Sequence, residues 1–250
     1  MPGWIFGVAI SFALELPTAA WSRAIDPAGQ GYQARRAGRT KHMARGEVTE
    51  KDDAALFTEV LGRATEALEH GGVPFALFGS VASNLYGRPC SSGDIDLLVA
   101  PRDADRALET LAAAGFSTEQ TDPTWIYKAT WDGVLVDVIF KVKAGVYLDD
   151  EMLSRVQERE YRGQRVRLVA PEDAVVIEAV SDEDQSRDHW FAALAILAAV
   201  DLDWDYLERR ARYGARRVLS LLLYAESNDY VVPERTVRRL FDAIYPGESG

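Results

Sequence analysis

Phe75-Ala76-Leu77-Phe78-Gly79-Ser80, followed after a thirteen-residue gap by Asp94-Ile95-Asp96-Leu97-Leu98-Val99, is the stretch on which the reading of this chain turns. Phe75–Phe78 is a short apolar run after Pro74 and reads as a buried strand that Gly79-Ser80 turns into a short helix through Tyr86. Asp94–Val99 reads as a second strand. Side chains two apart on a strand share a face, so Asp94 and Asp96 point together while Ile95 and Leu97 enter the core. Two carboxylates on one face repel unless a cation lies between them. Hard divalent ions such as magnesium take oxygen ligands of this kind and keep places for substrate phosphates.

A third carboxylate sits in Val134-Leu135-Val136-Asp137-Val138-Ile139-Phe140, where an unpaired charge in an apolar strand would cost several kcal/mol. Convergence of Asp137 with Asp94 and Asp96 on an ion pair supplies a reason for it, and two ions about 4 Å apart can clamp an in-line displacement at phosphorus. Asp137 is then also placed to take the proton of an attacking hydroxyl. Gly79 allows close backbone approach to a bulky anion, and the amides that follow, with the Ser80 hydroxyl, are suited to phosphate oxygens.

Working outward, Thr49 caps a helix with apolar Leu56, Val60, Leu61, Ala64 and Leu68 at helical spacing, stopped after His70 by Gly71-Gly72. Arg102–Ala114 reads as a helix, Trp125–Trp131 and Val134–Val142 as strands joined by a tight Asp132-Gly133 turn, and Tyr161–Val169 as another strand. From Pro171 every segment is helical: Glu172–Val180, His189–Val200, Trp204–Tyr213, Ala215–Ser227 and Pro233–Tyr245. Within the fourth of these, Leu219, Leu221, Leu222, Leu223 and Tyr224 suggest the bundle centre or a dimer contact. The fold class is α+β, a mixed sheet with flanking helices followed by an all-α bundle. Three parts are expected: a flexible extension over 1–46, a catalytic domain over 47–170 and a helical domain over 171–250.

The extension carries +4 and the rest of the chain −15, which sum to the formal charge of −11. That balance excludes a general nucleic-acid coat, because counterion release needs dense Lys and Arg. Trp4–Leu16 is apolar, but it lacks a positive flank and is too short to span a bilayer. Residues 1–42 read as dispensable, with a targeting or partner-binding arm as the alternative, and translation could start at Met43. One cysteine, Cys90, forms no internal disulfide and no zinc cluster, so a reducing, cytoplasmic setting is expected and Cys90 reads as an unreactive loop thiol. Eight arginines and eight acids share residues 201–242, which favours mutually paired helix surfaces over an RNA-binding face. His70 reads as a helix C-terminal cation, His189 as a packed or surface residue, and Lys141 as an exposed lysine. Arg88 is balanced between a phosphate contact and a solvated loop cation.

Gly79-Ser80, Asp94-x-Asp96 and the later strand Asp137 together resemble the active-site pattern of the DNA polymerase β-type nucleotidyltransferase superfamily. With a helical C-terminal part, the chain is similar to small bacterial nucleotidyltransferases, including antibiotic adenylyltransferases and the nucleotidyltransferases of toxin–antitoxin modules. The resemblance implies Asp94, Asp96 and Asp137 as magnesium ligands and Ser80 at the triphosphate, with Gly79 and Arg88 the further candidates for nucleotide binding read from the residues themselves. It implies an enzyme that moves NMP from an NTP to a hydroxyl on a small molecule, protein or RNA, with two magnesium ions and release of pyrophosphate. A homodimer or a toxin–antitoxin partner stays open. One departure stands out: toxin-like relatives carry a lysine on the first C-terminal helix, where this chain has Glu178, and Arg187-Asp188 takes the place of a later Lys-Asp pair. Glu178 motivates the alternative of a catalytically silent, antitoxin-like binding protein, and a metal-dependent phosphohydrolase using the same carboxylates is a third reading.

Overall fold

The computed structural model of the chain describes residues 50–89, 93–181 and 188–247. The N-terminal extension with Met43, the Thr49 cap, Cys90 and Arg187 lie outside the described residues.

The first helix, α1 (Glu50–His70), buries Phe57, Val60, Leu61, Ala64 and Leu68 along one stripe. It stops where Gly72 takes a φ of 62°, a left-handed conformation that side chains resist. β1 (Phe75–Leu77) leads directly into α2 (Gly79–Leu85). β2 (Asp94–Val99) follows, then a 3-10 turn at Pro101–Asp103 and α3 (Ala104–Ala113), which divides the single helix expected over Arg102–Ala114. β3 (Ser117–Asp122), β4 (Ile126–Trp131) and β5 (Val134–Ile139) form an antiparallel meander. The Asp132-Gly133 turn between β4 and β5 has positive φ at both residues, 46° and 87°, as a two-residue hairpin of favourable twist requires.

Next come α4 (Asp150–Ser154), capped by the Asp149 side chain accepting from the Met152 N–H, and β6 (Gln157–Tyr161) and β7 (Gln164–Leu168). Here the structure differs from the expected single strand over Tyr161–Val169. Arg162 and Gly163 adopt φ of 51° and 80° and fold the segment into a hairpin.

The seven strands form one mixed sheet in the order β3-β4-β5-β2-β1-β7-β6. β2 runs parallel to β5 and β1 parallel to β7, the other neighbours being antiparallel. α1 and α3 pack on one face, against which Ile95, Leu97, Val136 and Val138 are fully buried. Because strand side chains alternate, Asp94, Asp96 and Asp137 are left on the other face.

The chain is helical from Pro171 on: α5 (Pro171–Ser181), α6 (Asp188–Ala199), α7 (Trp204–Arg210) with a 3-10 turn at Ala211–Tyr213, α8 (Ala215–Glu226) and α9 (Glu234–Ile244). The centre of this group is α5, buried from Pro171 to Val180 and packed against α2, α6, α7 and α8. The expectation that the Leu219–Tyr224 helix forms the bundle centre is corrected, since α5 takes that place. α8 buries Val218, Leu219, Leu221, Leu222 and Ala225 but exposes Leu223 and Tyr224, so it covers the core from one side.

Arg209, Arg210, Arg212, Arg235, Arg238 and Arg239 pair with acids, although several of their partners lie outside the helical part. Arg209 and Arg212 reach Glu151, and the fully buried Arg210 lies 2.7 Å from Asp149 and 2.6 Å from Asp173. The 2.6 Å approach is an ion pair without hydrogen-bond alignment. No described helix is long and apolar enough to cross a membrane.

Candidate active site

Parallel pairing of β2 with β5 sets Asp96 directly beside Asp137 and Asp94 beside Leu135. The β4–β5 hairpin adds Lys128, which lies opposite Asp137 and contacts its Oδ1 at 2.8 Å. Lys128, Asp137 and Asp96 thus form a row across three adjacent strands. Asp137 faces neither away from Asp96 nor onto an arginine; its partner is a lysine that the sequence reading did not single out. The signal was present: once Asp132-Gly133 is a two-residue turn, Trp131 pairs with Val134 and the register carries Lys128 to Asp137.

At the other end of the row the Ser80 backbone N–H donates to the Asp96 carboxylate. Gly79 has a φ of 58°, and a Cβ there would overlap Asp96 Oδ2, so the strand-to-helix turn fits against Asp96 only without a side chain. The Ser80 amide, expected at a phosphate, is therefore engaged with Asp96. Burial, reinforced by the charges of Asp137, Asp94 and Glu178, pushes the Asp96 carboxyl up to about 7 against the lowering effect of the Ser80 N–H.

Beside this row opens a cleft of about 980 Å³. Phe78, Trp125, Ile139 and Ile177 supply apolar wall, and Asp96, Lys141, Lys143, Glu178 and His189 supply polar groups. β5 ends at Ile139, two residues before Lys141, so Lys141 reaches the cleft from the loop that follows the strand. Glu178 is buried on α5, with Oε2 2.7 Å from His189 Nδ1. His189, expected to be a packed or surface residue, lines the cleft, and the corner where a cation was implied holds an acid with an imidazole against it.

Arg88, expected at the nucleotide, donates from Nη1 to the Asp188 carbonyl at 2.8 Å and approaches its carboxylate at 3.4 Å. It ties the loop after α2 to the start of α6 and does not line the cleft. Lys128, Lys143, Trp125 and the Glu178–His189 pair are thus the site groups that sequence reasoning did not find.

Among the described residues, no three His, Cys, Asp or Glu side chains are gathered into a ready-made metal cage. The donor chemistry nevertheless fits a hard divalent ion, because carboxylate oxygens stand in register on adjacent strands, and Asp96 is raised first by burial and then by its acidic neighbours.

A mixed sheet carrying in-register acids beside a Gly-Ser turn, backed by a helical C-terminal part, is the architecture of a nucleotidyltransferase. The chain belongs to a family described as uncharacterised nucleotidyltransferases, which it matches over residues 38–227, and is an enzyme of that class. No match was found among curated proteins.

Among solved structures, the antibiotic-resistance factor ANT(2'')-Ia is 17% identical over 71% of this chain and 94% of its own, with a TM-score of 0.45. The lincomycin-bound lincosamide antibiotic adenylyltransferase LnuA is 14% identical over 62% of this chain and 100% of its own, with a TM-score of 0.41. An antigenic nucleotidyltransferase-like protein from Paracoccidioides brasiliensis is 12% identical over 79% and 98%, with a TM-score of 0.44.

Proposed function

We propose that this enzyme transfers a nucleoside monophosphate from an NTP to a hydroxyl acceptor. The observation that carries the reading is the in-register pair Asp96 and Asp137 beside Gly79-Ser80. In the reaction the acceptor oxygen bonds to the α-phosphorus, the bond from that phosphorus to the bridging oxygen breaks, and pyrophosphate leaves. The acceptor proton passes to Asp137.

Asp94, Asp96 and Asp137 would hold magnesium, with two ions the expected number. Bound magnesium would polarise the phosphoryl oxygens and offset the charge on pyrophosphate. Ser80 orients Asp96 through its amide, and its hydroxyl is the group proposed for the triphosphate. Lys141 and Lys143 supply positive charge at the cleft wall for the phosphate chain, in the role first given to Arg88. Trp125 and Ile177 offer apolar surface to the base or the acceptor. Glu178, the residue that favoured a catalytically silent binding protein, lies against His189, which provides a cation at that corner when protonated. With a single cysteine, the protein suits the reducing cytoplasm.

The test incubates the purified chain with magnesium, each α-labelled NTP and hydroxyl-bearing small molecules, RNA and protein, following label transfer and pyrophosphate. Transfer that disappears in Asp137→Asn, by about 100-fold or more, is the expected result. Absence of both products, with wild type and Asp96→Asn indistinguishable, would remove the proposal.

A further inference from the structure

We propose that Lys128 is a placeholder cation: its ammonium neutralises Asp137 beside Asp96 until a divalent ion arrives, and it competes with that ion for the Asp137 carboxylate. The inference rests on reading Asp96 and Asp137 as metal ligands.

The geometry carries it. Lys128 Nζ lies 2.8 Å from Asp137 Oδ1, and the two side chains keep only 32% and 13% of their exposure, so solvent screens the pair less than an open surface bridge. The hairpin register fixes Lys128 opposite Asp137, and the parallel register fixes Asp137 beside Asp96. The two acids are thereby bracketed, with the Ser80 N–H on Asp96 at one end and the Lys128 ammonium on Asp137 at the other. Such an arrangement keeps two adjacent carboxylates together in the absence of a metal. A divalent ion on Asp137 must displace the ammonium from Oδ1 or accept its repulsion at close range. Lys128 is a positioning residue in this account, since it acts through Asp137. A lysine that merely fastened β4 to β5 would lower stability when removed and would leave cation affinity unchanged.

The experiment titrates Mn2+ alone into metal-stripped full-length protein, reading free Mn2+ by electron paramagnetic resonance and unfolding by circular dichroism. Lys128→Met is expected to lower the metal-free unfolding temperature, to bind Mn2+ at least threefold more tightly than wild type, and to gain more stability on adding Mn2+. Lys128→Arg, which keeps the charge, should follow wild type. Lys128→Gln, which keeps a donor without the charge, makes the same comparison if the Met variant does not fold. Equal or weaker Mn2+ binding by the neutral variants, while wild type binds and Asp96→Asn does not, overturns the placeholder and leaves the metal reading standing. Folded proteins that all fail to bind Mn2+, or that bind it equally well with Asn at position 96, overturn both.

Discussion

At the scale of single residues, Asp96 and Gly79 are each shaped by the other. Gly79 has a left-handed φ, and any side chain there would collide with the Asp96 carboxylate. Gly79→Ala is therefore expected to cost about 1–3 kcal/mol, read by urea unfolding, and to disturb Asp96. An Ala variant of unchanged stability would contradict the close approach.

Asp96 itself is held against its preference for charge. Its folded value of about 7 lies above the 3.8 of a free carboxyl, so the folded state binds the extra proton, and stability is lost as pH rises from about 4 to about 7. In metal-free protein, Asp96→Asn should consequently unfold at a higher temperature than wild type at pH 8, with the gain shrinking toward pH 4. Asn can still accept the Ser80 N–H, which isolates the effect of charge. A gain equal at both pH values would count against burial and like charge as its source.

At the scale of elements, the β4–β5 hairpin matters most, because its turn sets which side chains reach Asp137. Gly133 has a φ of 87°, and Gly133→Val should cost about 1–2 kcal/mol while weakening the register that brings Lys128 to Asp137. Hydrogen-exchange protection in β4 and β5 should fall with it, and protection equal to wild type would show that the register does not depend on the turn.

The strands that were legible in the sequence are the apolar ones. Asp94–Val99 has the expected bounds, and β4 and β5 fall inside theirs. β3 reads Ser-Thr-Glu-Gln-Thr-Asp and β6 reads Gln-Glu-Arg-Glu-Tyr. Both lie at the edges of the sheet, where backbone pairing to one neighbour holds a strand without an apolar face, so periodicity left no trace of them.

Over the whole molecule, Arg210 is the fastening between the helical part and the sheet-bearing part. Fully buried on α7, it lies against Asp173 of α5 and Asp149, the cap of α4. Burial pushes Asp173 up to about 6 despite the opposing Arg210 charge and the Tyr206 hydroxyl, so these carboxylates depend on the guanidinium. Arg210→Ala should cost about 3–5 kcal/mol in denaturant unfolding, since it leaves buried acids unpaired. A loss below about 1 kcal/mol would mean that apolar packing and the remaining ion pairs, such as those of Arg209 and Arg212 with Glu151, hold the two parts together without it.

Asp137 stood out in the sequence because it interrupts an apolar run, where a charge costs several kcal/mol to bury, and Asp94 and Asp96 because two-residue spacing puts both on one face of a strand. Gly79-Ser80, the α+β class and the switch to helices at Pro171 were equally local. Which groups stand around those acids is a matter of register and packing. Strand pairing brought Lys128 to Asp137, α5 and α6 joined Glu178 to His189 across eleven residues, and α6 drew Arg88 away to Asp188. Local composition sets what a residue costs to bury, and only the long-range contacts of the folded chain set which partner meets that cost.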